Sequence, residues 1–175
     1  MPAKSTTIFT IMKVFTFIFL IGISIKTGAM LISFFVSLFI NPEAAKNLYM
    51  GLNLHRLLVF NMTHYISIVS LLLIISALQV TIALITFNTF LKLDLNNPFT
   101  ETTGKQILKI SYIALTTGLL ALCAHGYTKV ISKSGFAFSF NWGHAEFLFL
   151  AGVIFIIAQI FKRGIEIQSE NELTV

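Results

Sequence analysis

Four long apolar runs, separated by short polar breaks, dominate this sequence. A bilayer span needs about 20 mainly apolar residues in a helix, and each run can supply them. Ordinary soluble domains carry roughly 25% charged residues. Here the charged share is 11%, the hydrophobic share 56% and the mean hydropathy +0.87. A water-soluble globule of 175 residues could not hide so much apolar surface, because much of any globule's area faces water. The expectation is one all-α integral membrane domain, a four-helix bundle whose first partner is the lipid bilayer.

The spans are expected at about residues 8–40, 64–91, 107–128 and 142–161. The first is longer than a bilayer needs, so it should tilt or project. Whether it runs straight to Ile40 or breaks near Gly28 is open at this point. It resembles a signal peptide at its start, with Lys4 and Lys13 ahead of an apolar core, but no small-residue cleavage pattern follows. Asn41-Pro42 stops it, because proline cannot continue a helix. Residues 41–63 mix Glu43, Lys46, His55 and Arg56 with leucines and aromatics, which reads as a short interfacial helix and turn. Asn96-Asn97-Pro98-Phe99-Thr100 makes the next turn, with Thr100 placed to cap the third span. Trp142 is expected to anchor the fourth at the interface, and residues 162–175 form a polar tail.

Four spans put both ends on one side. With the N-terminus inside, Lys4, Lys13, Lys92, Lys105, Lys109, Lys162 and Arg163 flank the cytoplasmic ends, against Lys46, Arg56, Lys129 and Lys133 outside. That asymmetry favours N-in, C-in. The net charge of +5 is thereby accounted for by span flanks, and no basic face for direct nucleic-acid binding is implied. The one cysteine, Cys123, reads as a small helix-packing residue, with no disulfide or Cys-x-x-Cys metal site.

Membrane helices associate through small and polar residues. The stripes at steps of three and four are Gly22, Lys26, Ala29, Ser33 and Ser37 in the first span. In the second they are Ser67, Ser70, Ile74, Ala77, Thr81 and Asn88. The third has Ser111, Ala114, Gly118, Ala121 and His125, and the fourth Ala145, Gly152 and Gln159. Their period near 3.5 predicts left-handed packing.

Ionisable groups within a membrane are costly and often mark function. Lys26 lies on its stripe, and Glu146 one turn inside the fourth span. His64, His125 and His144, with His55 nearby, fall at the outer ends of their segments. Lys26, His64, His125, His144 and Glu146 thus form a candidate outward-facing polar pocket for a metal, a proton or a small ligand. The plainer reading has solvated histidines and a lysine that snorkels. No Gly-x-Ser-x-Gly, His-Glu-x-x-His, Walker A or Gly-x-Gly-x-x-Gly motif occurs. No catalytic residue, resident metal or cofactor is therefore assigned.

The tail is more telling. Ile165, Ile167, Leu173 and Val175 recur among Glu166, Gln168, Glu170, Asn171 and Glu172. Such a segment is too short and polar to fold alone, yet keeps an apolar set that could dock on a partner.

Two stretches carry a family likeness: Asn97-Pro98-Phe99-Thr100, and the ending from Phe161-Lys-Arg-Gly-Ile-Glu-Ile-Gln to Val175. With the four-span plan they resemble the bacterial domain of unknown function 2975 family. The resemblance implies a multi-pass inner-membrane protein of uncharacterised activity, often encoded beside a small Cro/C1-type helix-turn-helix regulator. It carries over no catalytic or ligand residues. The leading expectation is a non-enzymatic sensor or regulatory partner, acting through the 92–106 loop and the tail on such a regulator. The alternatives are a small transporter or channel subunit, which would need a homo-oligomer, or a membrane anchor binding metal or haem. Haem would take His64 with His125 or His144 as axial ligands.

Overall fold

The computed structural model describes residues 3–95, 98–138 and 140–172, with side chains of residues 7–170 in these segments. Long helices account for most of it: α1 (Ala3–Phe39), α3 (Met62–Lys92), α4 (Glu101–Ser132) and α5 (His144–Glu172), with the short α2 (His55–Phe60) between the first two. Four of them are long and apolar enough to cross a membrane, as the apolar runs require. At 1.5 Å per residue, α1 is about 55 Å long, well beyond the roughly 30 Å hydrocarbon core. It is continuous to Phe39, with no break at Gly28.

Side-chain oxygens set the helix starts. Asn41 accepts from the Glu43 N–H at the head of a 3-10 turn, Pro42–Lys46, which has proline in its first positions. Asn61 accepts from His64 N–H at the start of α3, and Thr100 accepts from Thr103 N–H at the start of α4. Each satisfies a donor that a helix leaves unpaired. Asn47, Asn53 and Asn141 do the same in the loops, for Gly51, His55 and Gly143 N–H.

The long helices pack antiparallel in chain order: α1 on α3, α3 on α4, α4 on α5. No α1–α4, α1–α5 or α3–α5 pair brings Cα atoms within 8 Å among the described residues. The close contacts thus form a row in chain order, α1–α3–α4–α5. Burial follows position in the row. Only 6% of the apolar window of α1 and 11% of that of α5 is buried, against 28% in α3 and 39% in α4. Core residues concentrate at the end where α1 meets α3 and α4 meets α5 through loops, here called the loop end. Met30, Tyr65, Ile68, Val69, Ala121, Ala124 and Ile131 pack there under Ala45, Leu48, Leu54 and Leu57.

The packing seams correct three of the four expected stripes. In α1 the buried positions are Thr16, Ile23, Met30 and Ser37, a strict seven-residue repeat that shares only Ser37 with the predicted stripe. Gly22 is exposed, and a Cβ added to it would meet nothing within 4 Å. In α3 the seam runs through Tyr65, Ile68, Val69, Ile75, Ser76 and Ala83, so Ile74, Ala77 and Thr81 face outward. In α5 Ala151 and Ala158 are buried while Ala145, Gly152 and Gln159 are exposed. The α4 stripe is as expected: Ser111, Ala114, Gly118 and Ala121 are buried. The cause is visible in α1 and α3, where aromatic rings fill the seam: Phe9 on Phe90, Phe17 on Phe87, Phe34 on Tyr65. Cys123 is exposed.

Two further expectations change. Trp142 precedes α5 and is buried, its indole N–H donating to Thr128 Oγ1 at 3.1 Å. It plugs the core at the loop end, where an interfacial anchor was expected. The polar tail is not separate either. Helix α5 passes Phe161 without a break and continues to Glu172.

Candidate functional site

The end of the molecule away from those loops is built from the two family-like stretches, and they touch. Phe99, in the turn before α4, lies against Phe161 of α5 with ring centroids 5.2 Å apart. Gly164 lets this happen. A Cβ there would stand 2.6 Å from Phe99 Cδ1, closer than any side chain tolerates. The next residue, Ile165, reaches Gly104, whose Cβ position is 3.3 Å from Ile165 Cδ1. The first turn of α4 thus braces α5 where its apolar run ends. This explains why the tail is helical: it has a surface to pack on, and helices in proteins owe most of their stability to such packing. Arg163 adds an ion pair with Glu166 at 2.9 Å, worth little at an exposed site.

The paired ends form a stem, with a cleft of about 480 Å³ between the helices. Gly104, Leu108, Ala158 and Ile165 make its apolar floor; Glu101, Lys105, Gln159, Lys162 and Glu166 stand around its mouth. Lys105 donates to Glu101 at 2.6 Å and Arg163 to Glu166, so both carboxylates are engaged.

Of the expected docking residues, Ile165 is committed to α4, Glu166 to Arg163, and Ile167 is 47% exposed. Gln168 and Glu170 each have interactions within the chain. The side chain of Asn171, together with Leu173 and Val175, lies outside the described residues, as do Asn96 and Asn97 of the turn. The sequence did not single out Gly104, Leu108, Ala158 or Gly164. The one available signal was Gly164, a helix-weakening residue amid a good helical segment.

Three of the four histidines make ring contacts at α4, one from α3 and one pair between α4 and α5. His64 Nδ1 meets Tyr127 Oη at 2.7 Å, tying α3 to α4. His125 and His144 stack between α4 and α5, centroids 4.7 Å apart and planes 27° from parallel. His144 Nδ1 is enclosed and has no hydrogen-bond partner. Glu146 is exposed and accepts from Asn141 Nδ2 at 3.4 Å. His55 belongs to the 41–61 cap, near Pro42 O and Glu43. Lys26 joins none of these. It lies on α1 between the Phe17–Phe87 and Phe34–Tyr65 contacts, level with the middle of α3. No Cα atoms of α1 and α5 lie within 8 Å among the described residues, so Lys26 and Glu146 stand on helices that are not in close contact.

Among the described residues, no three His, Cys, Asp or Glu are placed to hold one metal ion. Nor do the histidines suit haem. Of the expected axial pair, His64 with His125 or His144, His64 has its Nδ1 on Tyr127 Oη, while His125 and His144 present ring faces to each other; axial ligation turns both ring nitrogens toward one iron. The loop-end polar groups act as ties: Tyr65 Oη bonds Ser37 Oγ at 2.6 Å, and Ser111 Oγ donates to Ala151 O at 3.0 Å.

A family model described as "Protein of unknown function (DUF2975)" matches residues 39–175. That is most of the chain, and the chain belongs to this family. No curated protein and no solved structure matches it.

Proposed function

We propose that this member of the DUF2975 family is a non-enzymatic regulatory partner in the bacterial inner membrane, with both termini in the cytoplasm. In this reading the α4–α5 stem is presented to a soluble helix-turn-helix regulator. The orientation rests on the lysines and arginine that flank the stem end, seven against four at the loop end.

The observation that carries the proposal is that α5 does not stop at the membrane surface. It extends about 16 Å past Phe161, and the first turn of α4 and Phe99 hold it there. Its outward face sets Ile167 between Arg163 and Glu170, an apolar residue in a charged surround. Amphipathic helices are bound through such anchors. A membrane event would alter regulator binding only if two states of the stem differ in affinity.

The test is co-purification from native membranes of any helix-turn-helix protein with the intact chain, with Ile167→Glu, and with a chain ending at Arg163. Binding to the intact chain alone supports the proposal. Equal recovery with all three, or none with any, refutes it.

A further inference from the structure

Two carboxylates, Glu101 and Glu166, and two ammonium groups, Lys105 and Lys162, line the stem cleft, but Glu166 is paired with Arg163 from outside that lining. Lys105 is paired with Glu101 and Arg163 with Glu166, which leaves Lys162 without a counter-ion among the described residues. Lys162 is also the first charged residue after the apolar run of α5, so its ammonium lies at headgroup depth. Gln159, one turn deeper, brings an amide to the same mouth, and below them the floor of Leu108 and Ala158 is apolar. A soluble anion would meet only the rim. A ligand with a phosphate at one end and a hydrocarbon chain at the other would fill the rim and the floor together.

We propose that the α4–α5 cleft is a binding site for an anionic phospholipid, its phosphate on Lys162 and Gln159 and an acyl chain over Leu108 and Ala158. The site is distinct from the outward face of Ile167, and does not depend on the regulator. Surface lysines near anionic lipid each strengthen binding by about fivefold. A cleft adds selectivity, because only a lipid seated between the helices contacts both walls.

The experiment uses the full chain in nanodiscs of phosphatidylcholine containing a minor fraction of phosphatidylglycerol, released into the gas phase for native mass spectrometry. The expected result is preferential retention of phosphatidylglycerol, unaffected by millimolar inorganic phosphate. Lys162→Gln should lower that retention about fivefold, and Leu108→Trp, which fills the floor, should abolish it. Lys133→Gln, at the loop end, should leave it unchanged. Thermal melting of each variant confirms folding, and Lys162, being exposed, gives a variant that folds. Equal retention of the two lipids overturns the proposal, as does equal loss in Lys162→Gln and Lys133→Gln. Displacement by phosphate, or loss in Lys162→Gln without loss in Leu108→Trp, also overturns it, by showing attraction at the rim and no seated lipid.

Discussion

The α1–α3 contact and the α4–α5 contact are both antiparallel helix pairs, yet they are held by opposite means. Between α4 and α5 the seam is small residues, Ser111, Ala114 and Gly118 against Ala151 and Ala158, and the backbones come close enough for Ser111 Oγ to reach Ala151 O. Between α1 and α3 large rings interdigitate, and one hydroxyl pair, Tyr65 with Ser37, bridges them. Lipid tails are as apolar as the side chains they replace, so helix association in a bilayer relies on packing and polar bonds. Close backbones exploit both over a long seam. Ring contacts leave α1 mostly exposed, so the α4–α5 hairpin should be the more rigid half.

The sharpest way to break that contrast is at Gly118. A Cβ there would fall 2.8 Å from Leu148 Cγ and 3.0 Å from the Leu148 backbone nitrogen, so the helices themselves must part. Gly118→Leu should cost roughly 3 kcal/mol or more, seen as a large fall in melting temperature in detergent. Gly22→Leu and Gly152→Leu, which meet nothing within 4 Å, should change it little. Equal effects at all three positions would mean that the small-residue seam is not what joins α4 and α5.

Tyr65 tests the other half. Ser37 gives its proton to Phe34 O at 2.7 Å, so Tyr65 donates to Ser37. Tyr65→Phe keeps the ring against Phe34 and removes one buried donor, a loss of about 1 kcal/mol. Ser37→Ala should cost more, because it also removes the bond to Phe34 O and leaves the Tyr65 hydroxyl buried without its partner, and the double variant should cost less than the sum of the two. Additive losses would show that the two hydroxyls do not act on each other.

The same contrast explains what could be read from the sequence. Apolar run length located the four helices long enough and apolar enough to cross a membrane, and the Asn41-Pro42 and Thr100 signals placed helix ends, because both depend on local chemistry. The α4 seam was legible because small residues there do mark close approach. The α1 and α3 seams were not. Thr16, Ile23, Met30 and Ser37 repeat every seven residues, but large residues at a seam look the same as large residues facing lipid. The row defeated the polar pocket too: Lys26, His64 and His144 share no helix neighbour that would gather them. The stem was half legible. Phe99 and Phe161 stood in the two family-like stretches, but their contact spans 62 residues and hinges on the missing side chain of Gly164.

That glycine gives a smaller test. Gly164→Ala must push the Phe99 ring aside, and Phe99 is 39% exposed and can swing outward. The ring pair with Phe161 should be lost, about 0.5–1.5 kcal/mol of local stability. Amides of residues 162–170 should then exchange with solvent faster while those of residues 145–158 do not change. Uniform exchange along α5 would show that the stem does not open separately from the span.

The smallest effect belongs to the cap over the α1–α3 junction, where Glu43 is ion-paired to Lys46 and has His55 Nε2 at 3.6 Å. The hydrogen bond from Lys46 holds the Glu43 carboxyl below its ordinary value, with Lys46 and His55 charges adding to it. A carboxyl whose value is depressed on folding stabilises the fold above its unfolded value, and loses that contribution as pH falls through the folded one. Glu43→Gln should therefore melt slightly below the parent chain above the ordinary carboxylate range, and the two melting curves should converge in acid. Because the pair is exposed and screened by salt, the gap at neutral pH should be near the limit of detection and vanish in high salt. A large gap that survives salt would mean that this cap, and not the aromatic seam beneath it, fastens α1 to the row.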